Sequence, residues 1–395
     1  MPLLHLSPPP HRLLLAGGGR RRLLLPAARR RSLVRVRAAA SAAAAAAEAY
    51  GLPFPPERAA HHRELAAAAA AVERACRLCV DVKRTLLSGD KKILEKNDQT
   101  PVTVADFGVQ ALISLEEDSA SLRSSNTDDN SSNVLVESIS SAVAEKVLDP
   151  IDGTKGFLGG DDALYVVGLA LVVNEKVVAG VMGCPNWSNA TIASRKEDSA
   201  AAQPDRGILM IAHVGCGTWS RHLSVDIGQF TTAQSTWNRC LVDSCSVVNM
   251  ARFCIPDSQT WNMIPLSVLF NSTKDESNPR DENEILLLSV YCGSDRDALF
   301  LLIFHSLCKY LTVASGRASV FVLRARTKNL KSWDHAVGVI CVQEAGGQIS
   351  DWSGKPLDLA ADLTGRRDIY PSGGVLVTNG ALHGKLVEMI SANHK

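Results

Sequence analysis

The most constraining feature of the chain is an eleven-residue run, Val147-Leu148-Asp149-Pro150-Ile151-Asp152-Gly153-Thr154-Lys155-Gly156-Phe157. Its apolar start reads as the end of a strand. Two carboxylates follow, three positions apart around a proline, then a glycine turn and a threonine from which a short helix can begin. Carboxylates at a strand end, with a backbone carbonyl between them, make a hard-oxygen donor set suited to Mg2+. The Gly153 and Thr154 amides at a helix start can receive a phosphate held against that ion. The plainer reading is a capped turn, in which Asp152 only caps the helix. A bare pair of carboxylates at this spacing would favour that reading; the full string does not.

Composition bounds the rest. With 46% apolar and 21% charged residues in 395, the chain reads as one large globular domain or two medium ones, not a disordered or collagenous chain or a small disulfide scaffold. No run approaches the roughly 20 apolar residues of a membrane-spanning helix, so no membrane is expected as a partner. The net charge of +1 hides an asymmetry: residues 1–47 hold nine arginines and no acidic residue. Removing those nine leaves 33 basic residues against 41 acidic ones. An acidic body is a poor nucleic-acid binder, because phosphate neutralisation needs clustered Lys and Arg; a phosphorylated small molecule fits if a metal supplies positive charge. The Arg-rich, acid-free leader reads as an organellar transit peptide, for a mitochondrion or a chloroplast. With the Ala-rich stretch that follows, it is expected to occupy residues 1–50 as a disordered leader. The ten cysteines show no paired metal-ligand spacing, and Cys76 and Cys79 sit in a helical pattern that turns both toward a core.

Periodicity sets out the body. A helix is expected over His62–Leu87 and another from Asp106 through Leu115. Segments 119–132, 195–206 and 271–284 read as exposed loops. A hairpin spans Leu164–Cys184 with its turn at Asn174-Glu175-Lys176, and strands are expected at Ile208–His213, Ser319–Leu323, Gln348–Trp352 and Gly374–Thr378. A helix runs over Asp334–Glu344, and Asn379 caps a last one, Ala381–Ile390. Mixed strands and helices with hairpins imply an α+β architecture in layers. The division expected is an N-terminal α+β metal-binding half, 51–206, and a C-terminal α/β substrate-binding half, 207–395.

The string Asp149-Pro-Ile-Asp-Gly-Thr154 resembles the signature of the lithium-sensitive, magnesium-dependent phosphomonoesterase superfamily, which includes the inositol monophosphatases. Its continuation, Lys155-Gly156-Phe157-Leu158, is similar to that of the 3'(2'),5'-bisphosphate nucleotidases. Thr100-Pro-Val-Thr-Val-Ala-Asp106 and Trp333-Asp334-His335-Ala336 resemble the first and last metal-binding blocks, and the likeness covers about residues 65–392. The resemblance implies the layered α/β sandwich of that superfamily, with Mg2+ held by Glu116, Asp149, the Ile151 carbonyl, Asp152 and Asp334. Asp106 and Thr154 would activate water. Gly153, Thr154, Ser306, Lys309 and Arg324 would bind the substrate, a small phosphorylated nucleotide. The implied activity is hydrolysis of 3'-phosphoadenosine 5'-phosphate to AMP, and of 3'-phosphoadenylyl sulfate. An inositol polyphosphate 1-phosphatase using the same site, and a non-catalytic variant with an incomplete metal site, are the alternatives.

The chain departs from that pattern in three places. Glu116 lies ten positions after Asp106, which puts the two about 15 Å apart if the helix continues. The segment between Ser141 and Val147 is short. Residues 295–305 read as an insertion, so that Ser294 competes with Ser306 for the substrate role. Gly159 stands where the family often has Arg. His335 and Asp358 read as structural.

Overall fold

The computed structural model describes residues 51–87, 94–95, 101–102, 105–113, 144–159, 163–188, 207–223, 236–254, 306–325, 329–359 and 368–393. The leader, Glu116, Ser294, the 295–305 insertion and the three expected exposed loops lie outside the described residues.

The first element is helix α1 (His62–Leu87), on the bounds its periodicity indicates. Strands β1 (Leu94–Glu95) and β2 (Pro101–Val102) pair antiparallel, and residues 105–113 form helix α2. Next come β3 (Ala144–Asp152), the one-turn helix α3 (Thr154–Phe157), β4 (Val166–Val173) and β5 (Lys176–Cys184). These are followed by β6 (Ile208–His213), β7 (Gly217–His222), β8 (Asn238–Cys240) and β9 (Phe253–Cys254). The remainder is α4 (Ser306–Ala314), β10 (Val320–Arg324), β11 (Leu330–Lys331), a 3-10 turn at Ser332–Asp334, α5 (Ala336–Glu344), β12 (Gly347–Asp351), β13 (Asp368–Ile369), β14 (Gly374–Asn379) and α6 (His383–Asn393).

Among the described residues, strands β3 to β8 make one antiparallel sheet of six in sequence order, drawing strands from both sides of residue 207. Adjacent hairpin strands find one another first, because short connections cost least chain entropy. The β4–β5 turn holds Asn174 and Glu175 at φ 49° and 65°, the mirror-image two-residue turn whose twist suits a hairpin. A second sheet has the order β12-β14-β10-β9, parallel only between β10 and β9.

Period-two alternation then sorts the side chains. Val167, Leu169, Val181, Leu209 and Ile211 face α1 and α2, where Leu65, Val72, Cys76, Cys79 and Val109 meet them. Val166, Ala170, Met182, Met210 and Ala212 face the other way, onto α4 and α5. The far side of those helices packs on the second sheet, and Leu382 with Leu386 and Ile390 of α6 covers that sheet's outer face. The fold is thus a layered α+β sandwich: helix, sheet, helix, sheet, helix. Cys76 and Cys79 are both fully buried, as their spacing implied.

Two boundaries differ from the periodicity. Helix α5 begins at Ala336, so Asp334 stands on the 3-10 turn before it. The last helix starts at His383, yet Asn379 still caps its approach: Oδ1 accepts the Leu382 N–H at 3.1 Å. Close layer contact depends on glycines. A Cβ on Gly180 would sit 2.7 Å from Ile340 Cγ2, and one on Gly338 would sit 2.2 Å from Tyr310 Cγ. We expect Gly338→Ala to force α4 and α5 apart and to lower stability by about 1–3 kcal/mol; urea unfolding measures it, and an unchanged midpoint would mean that α4 can shift freely.

His383 ties α6 to the second sheet, its Nδ1 and Nε2 each sharing a hydrogen bond of 2.9 Å with Thr378 Oγ1 and Ser350 Oγ. Burial lowers its pKa. A proton therefore binds the unfolded chain first: this contribution is whole above about pH 6.5, the unfolded value, and is lost as pH falls below it. Between pH 7.5 and pH 5 the wild-type urea midpoint should fall further than that of His383→Gln. Equal slopes would remove His383 as the cause.

Candidate active site

In a regular strand, residues three apart face opposite sides of the sheet. Asp149 and Asp152 do not, because β3 carries one extra residue between them. Asp149 lies opposite Gly168 and Asp152 opposite Val166, so three steps on β3 match two on β4. Such a bulge suits Pro150, which has no N–H to give to the ladder. Ile151 goes to the core beside α1. The carboxylates turn toward α4: the Asp149 Cβ lies beside Leu307 at the close approach made over Gly168, and Asp152 Oδ2 accepts the Leu307 N–H at 2.6 Å.

Gly153 next reverses the chain, at φ 99° and ψ 43°, a left-handed conformation that glycine adopts without strain. Helix α3 starts there, with the Phe157 N–H donating to the Gly153 carbonyl at 2.8 Å. Thr154 Oγ1 points back to the Ile151 carbonyl at 3.4 Å. Asp149, Asp152 and Thr154 are all buried.

Asp334 arrives from the 3-10 turn, which packs on β3. It is half-buried, and its charge acts on buried Asp152. Burial is the main cause that pushes the Asp152 carboxyl above the carboxylate range, and Asp334 adds to it; the Leu307 amide and Lys309 pull the other way without cancelling it. Lys309 is 3% exposed, its Nζ 5.5 Å from the centre of the Phe321 ring. Burial lowers its pKa and Asp152 raises it. The cluster therefore holds a buried carboxylate and a half-buried one that repel one another, with a lysine whose charge burial itself weakens. That imbalance is what a hard divalent cation relieves. Among the described residues, no three His, Cys, Asp or Glu side chains are gathered as a metal-holding group.

The structure thus brings Asp152, Asp334, Lys309 and the first turn of α4 together, with Asp149 alongside. Ser306 opens α4, next to the donor amide. Asp106 is buried at the start of α2, where its charge reaches Cys79 of α1. Arg324 ends β10, opposite Gly374 and partly buried. Asp358 is exposed. His335, which the sequence leaves as structural, is buried and shares a hydrogen bond of 2.9 Å with the Tyr310 hydroxyl. The Leu307 amide is the contributor that sequence reading missed; a backbone donor carries no side-chain signal.

The sequence pattern of the inositol monophosphatase family matches residues 58–395. An Arabidopsis thaliana protein that carries the name of a mitochondrial 3'(2'),5'-bisphosphate nucleotidase is 48% identical over 390 residues, covering 86% of this chain and 90% of its own. A 3'(2'),5'-bisphosphate nucleotidase of Oryza sativa is 32% identical over 83% of this chain and 93% of its own. Among solved structures, the IMPase of Thermotoga maritima is 17% identical with a TM-score of 0.47, covering 82% of this chain and 96% of its own. The pattern match and the Arabidopsis likeness each span most of the sequence, and on them the chain belongs to the inositol monophosphatase family, whose enzymes are metal-dependent phosphatases.

Proposed function

We propose that the chain is a Mg2+-dependent 3'(2'),5'-bisphosphate nucleotidase that hydrolyses 3'-phosphoadenosine 5'-phosphate to AMP and phosphate, and 3'-phosphoadenylyl sulfate more widely. The observation that carries this is buried Asp152 beside half-buried Asp334, its Oδ2 bound to the Leu307 amide in the first turn of α4, where burial and Asp334 oppose its charge more than Lys309 offsets. The names of the Arabidopsis and rice relatives support the nucleotide substrate over an inositol phosphate.

Asp149, the Ile151 carbonyl, Asp152 and Asp334 would hold the ion, with Glu116 as a further ligand. When bound, Mg2+ supplies positive charge for the phosphoryl oxygens and lowers the pKa of water. Thr154 Oγ1 takes the proton of the attacking water and passes its own to the Asp106 carboxylate. The Gly153 and Thr154 amides hold the phosphate that is cleaved. Ser306, Lys309 and Arg324 hold the nucleotide, and a guanidinium fork suits its second phosphate. In this reading residues 51–206 supply most of the ligands and 207–395 most of the substrate contacts. The Arg-rich leader directs the chain to a mitochondrion or a chloroplast, and the name of the Arabidopsis relative supports the mitochondrion.

Purified protein with Mg2+ should release phosphate from 3'-phosphoadenosine 5'-phosphate at least tenfold faster than from inositol 1,4-bisphosphate, and lose the activity on chelation. A reversed preference would give the site to inositol phosphates; tight nucleotide binding without turnover at any Mg2+ concentration would make the chain a non-catalytic variant.

Asp152→Asn should separate activity from folding. The amide keeps an acceptor for the Leu307 N–H but removes a charge that burial and Asp334 oppose. Phosphate release should fall by a factor on the order of 10² to 10⁴. The native Asp152 carboxyl has a raised pKa, so in metal-free protein its destabilisation is absent below about pH 4 and grows as pH rises. At pH 8 the metal-free variant should therefore have a higher urea midpoint than wild type. A lower one would mean that Asp152 is already compensated.

A further inference from the structure

The pairing of Tyr310 with His335 has no role in the reaction above, yet it stands in the layer that joins the two ends of the site. We propose that Tyr310 and His335 are a positioning pair that fixes Asp334 relative to Asp152 and so sets the affinity of the chain for divalent cation. This rests on the metal-dependent phosphatase reading.

The contacts close a circuit. Asp152 Oδ2 is bound to the Leu307 amide at 2.6 Å. Leu307 and Tyr310 are three positions apart on α4, one turn along the same side of the helix. The Tyr310 hydroxyl meets His335 Nδ1 at 2.9 Å. His335 is covalently next to Asp334, and it is held at both backbone groups: its N–H donates to the Ser332 carbonyl at 3.1 Å, and its carbonyl accepts the Val339 N–H at 2.9 Å. A shift of the imidazole would carry Asp334 with it. A shift of α4 would carry the amide that anchors Asp152.

Packing alone does not call for this bond. Tyr310 is fully buried, with its ring edge-on to Phe321 at 5.3 Å and against Gly338. His335 is 1% exposed in the same apolar layer. A phenylalanine and a leucine would fill that volume without two polar groups that must satisfy each other. What the polar pair adds is direction and a fixed length, which apolar contact lacks. The alternative is a satisfied core histidine that contributes stability and nothing to the site.

Cation affinity separates the two. Mg2+ would be titrated calorimetrically, without substrate, into the full chain and into Tyr310→Phe, His335→Leu, His335→Asn and the Tyr310→Phe/His335→Leu double variant, with urea midpoints measured in parallel. Tyr310→Phe keeps the ring and removes only the hydroxyl. It and His335→Leu should each weaken Mg2+ binding about tenfold, as loss of a partner behind the ligands does. The double variant should be no weaker than either single one. His335→Asn, which keeps an acceptor near the Nδ1 position, should recover most of the affinity. Wild-type affinity in Tyr310→Phe overturns the proposal, whatever its urea midpoint; should His335→Leu fail to fold, Tyr310→Phe decides alone. If wild type binds Mg2+ and releases phosphate while the variants match it, only the positioning role falls. If wild type does neither, the phosphatase reading falls and the proposal with it.

Discussion

One residue of surplus length in β3 governs the site. Without it, Asp149 and Asp152 would point to opposite faces of the six-stranded sheet, one toward α1 and the other toward α4. The bulge at Pro150-Ile151 spends that residue as a core contact on the α1 side and leaves both carboxylates on the α4 side. Among the described residues β3 pairs with β4 alone, so that one ladder absorbs the bulge. Inside a sheet the same bulge would break two ladders, and a proline there would leave a second acceptor without a donor.

Turning two carboxylates into a helix layer puts them where water is scarce. Burial there works against the charge on Asp152, and the answer is assembled from two contributors: the Leu307 amide at the start of α4 and Lys309. They fall short of neutralising it. Such a shortfall is the ground for the proposed cation, because a buried pair that already balances has little to gain from one. The layering itself is therefore part of the chemistry. Gly168, Gly180 and Gly338 have no side chain to hold the layers apart, and this lets α4 and α5 lie near enough to the strand for a backbone amide to reach a carboxylate.

Much of this was legible along the chain. The bounds of α1, the 164–184 hairpin and the cap at Asn379 follow from local rules, and local contacts decide them in the fold. The string from Val147 to Phe157 announced the strand end, the glycine turn and the short helix in order. What escaped was whatever depends on a partner distant in sequence. The bulge needs the β4 register to be seen. The start of α5 at Ala336 rather than Asp334 reflects the 3-10 turn that packs on β3. Lys309 reads as a substrate-binding cation, but the fold buries it against the Phe321 ring of the second sheet. His335 reads as a core residue, and it is one; only its placement beside Tyr310 gives it a direction.

The distribution of rigid and irregular backbone also carries meaning. Precise placement of several ligands is best achieved from ladders and helices rather than from loops. Asp149 and Asp152 stand on a paired strand, Ser306, Leu307 and Lys309 on one turn of α4, and Asp334 on a turn clasped between β3 and α5. Each of these supports is fixed by hydrogen bonds that do not involve the ligand. The expensive arrangement, a buried carboxylate beside a like charge, is therefore made by folding itself and not at the moment of binding. Under the proposed metal-dependent reading, a chain that holds Asp152 and Asp334 near one another before an ion arrives gives up stability in the metal-free state. In return it has little ordering left to do when the ion binds, the condition under which electrostatic preorganisation is most effective.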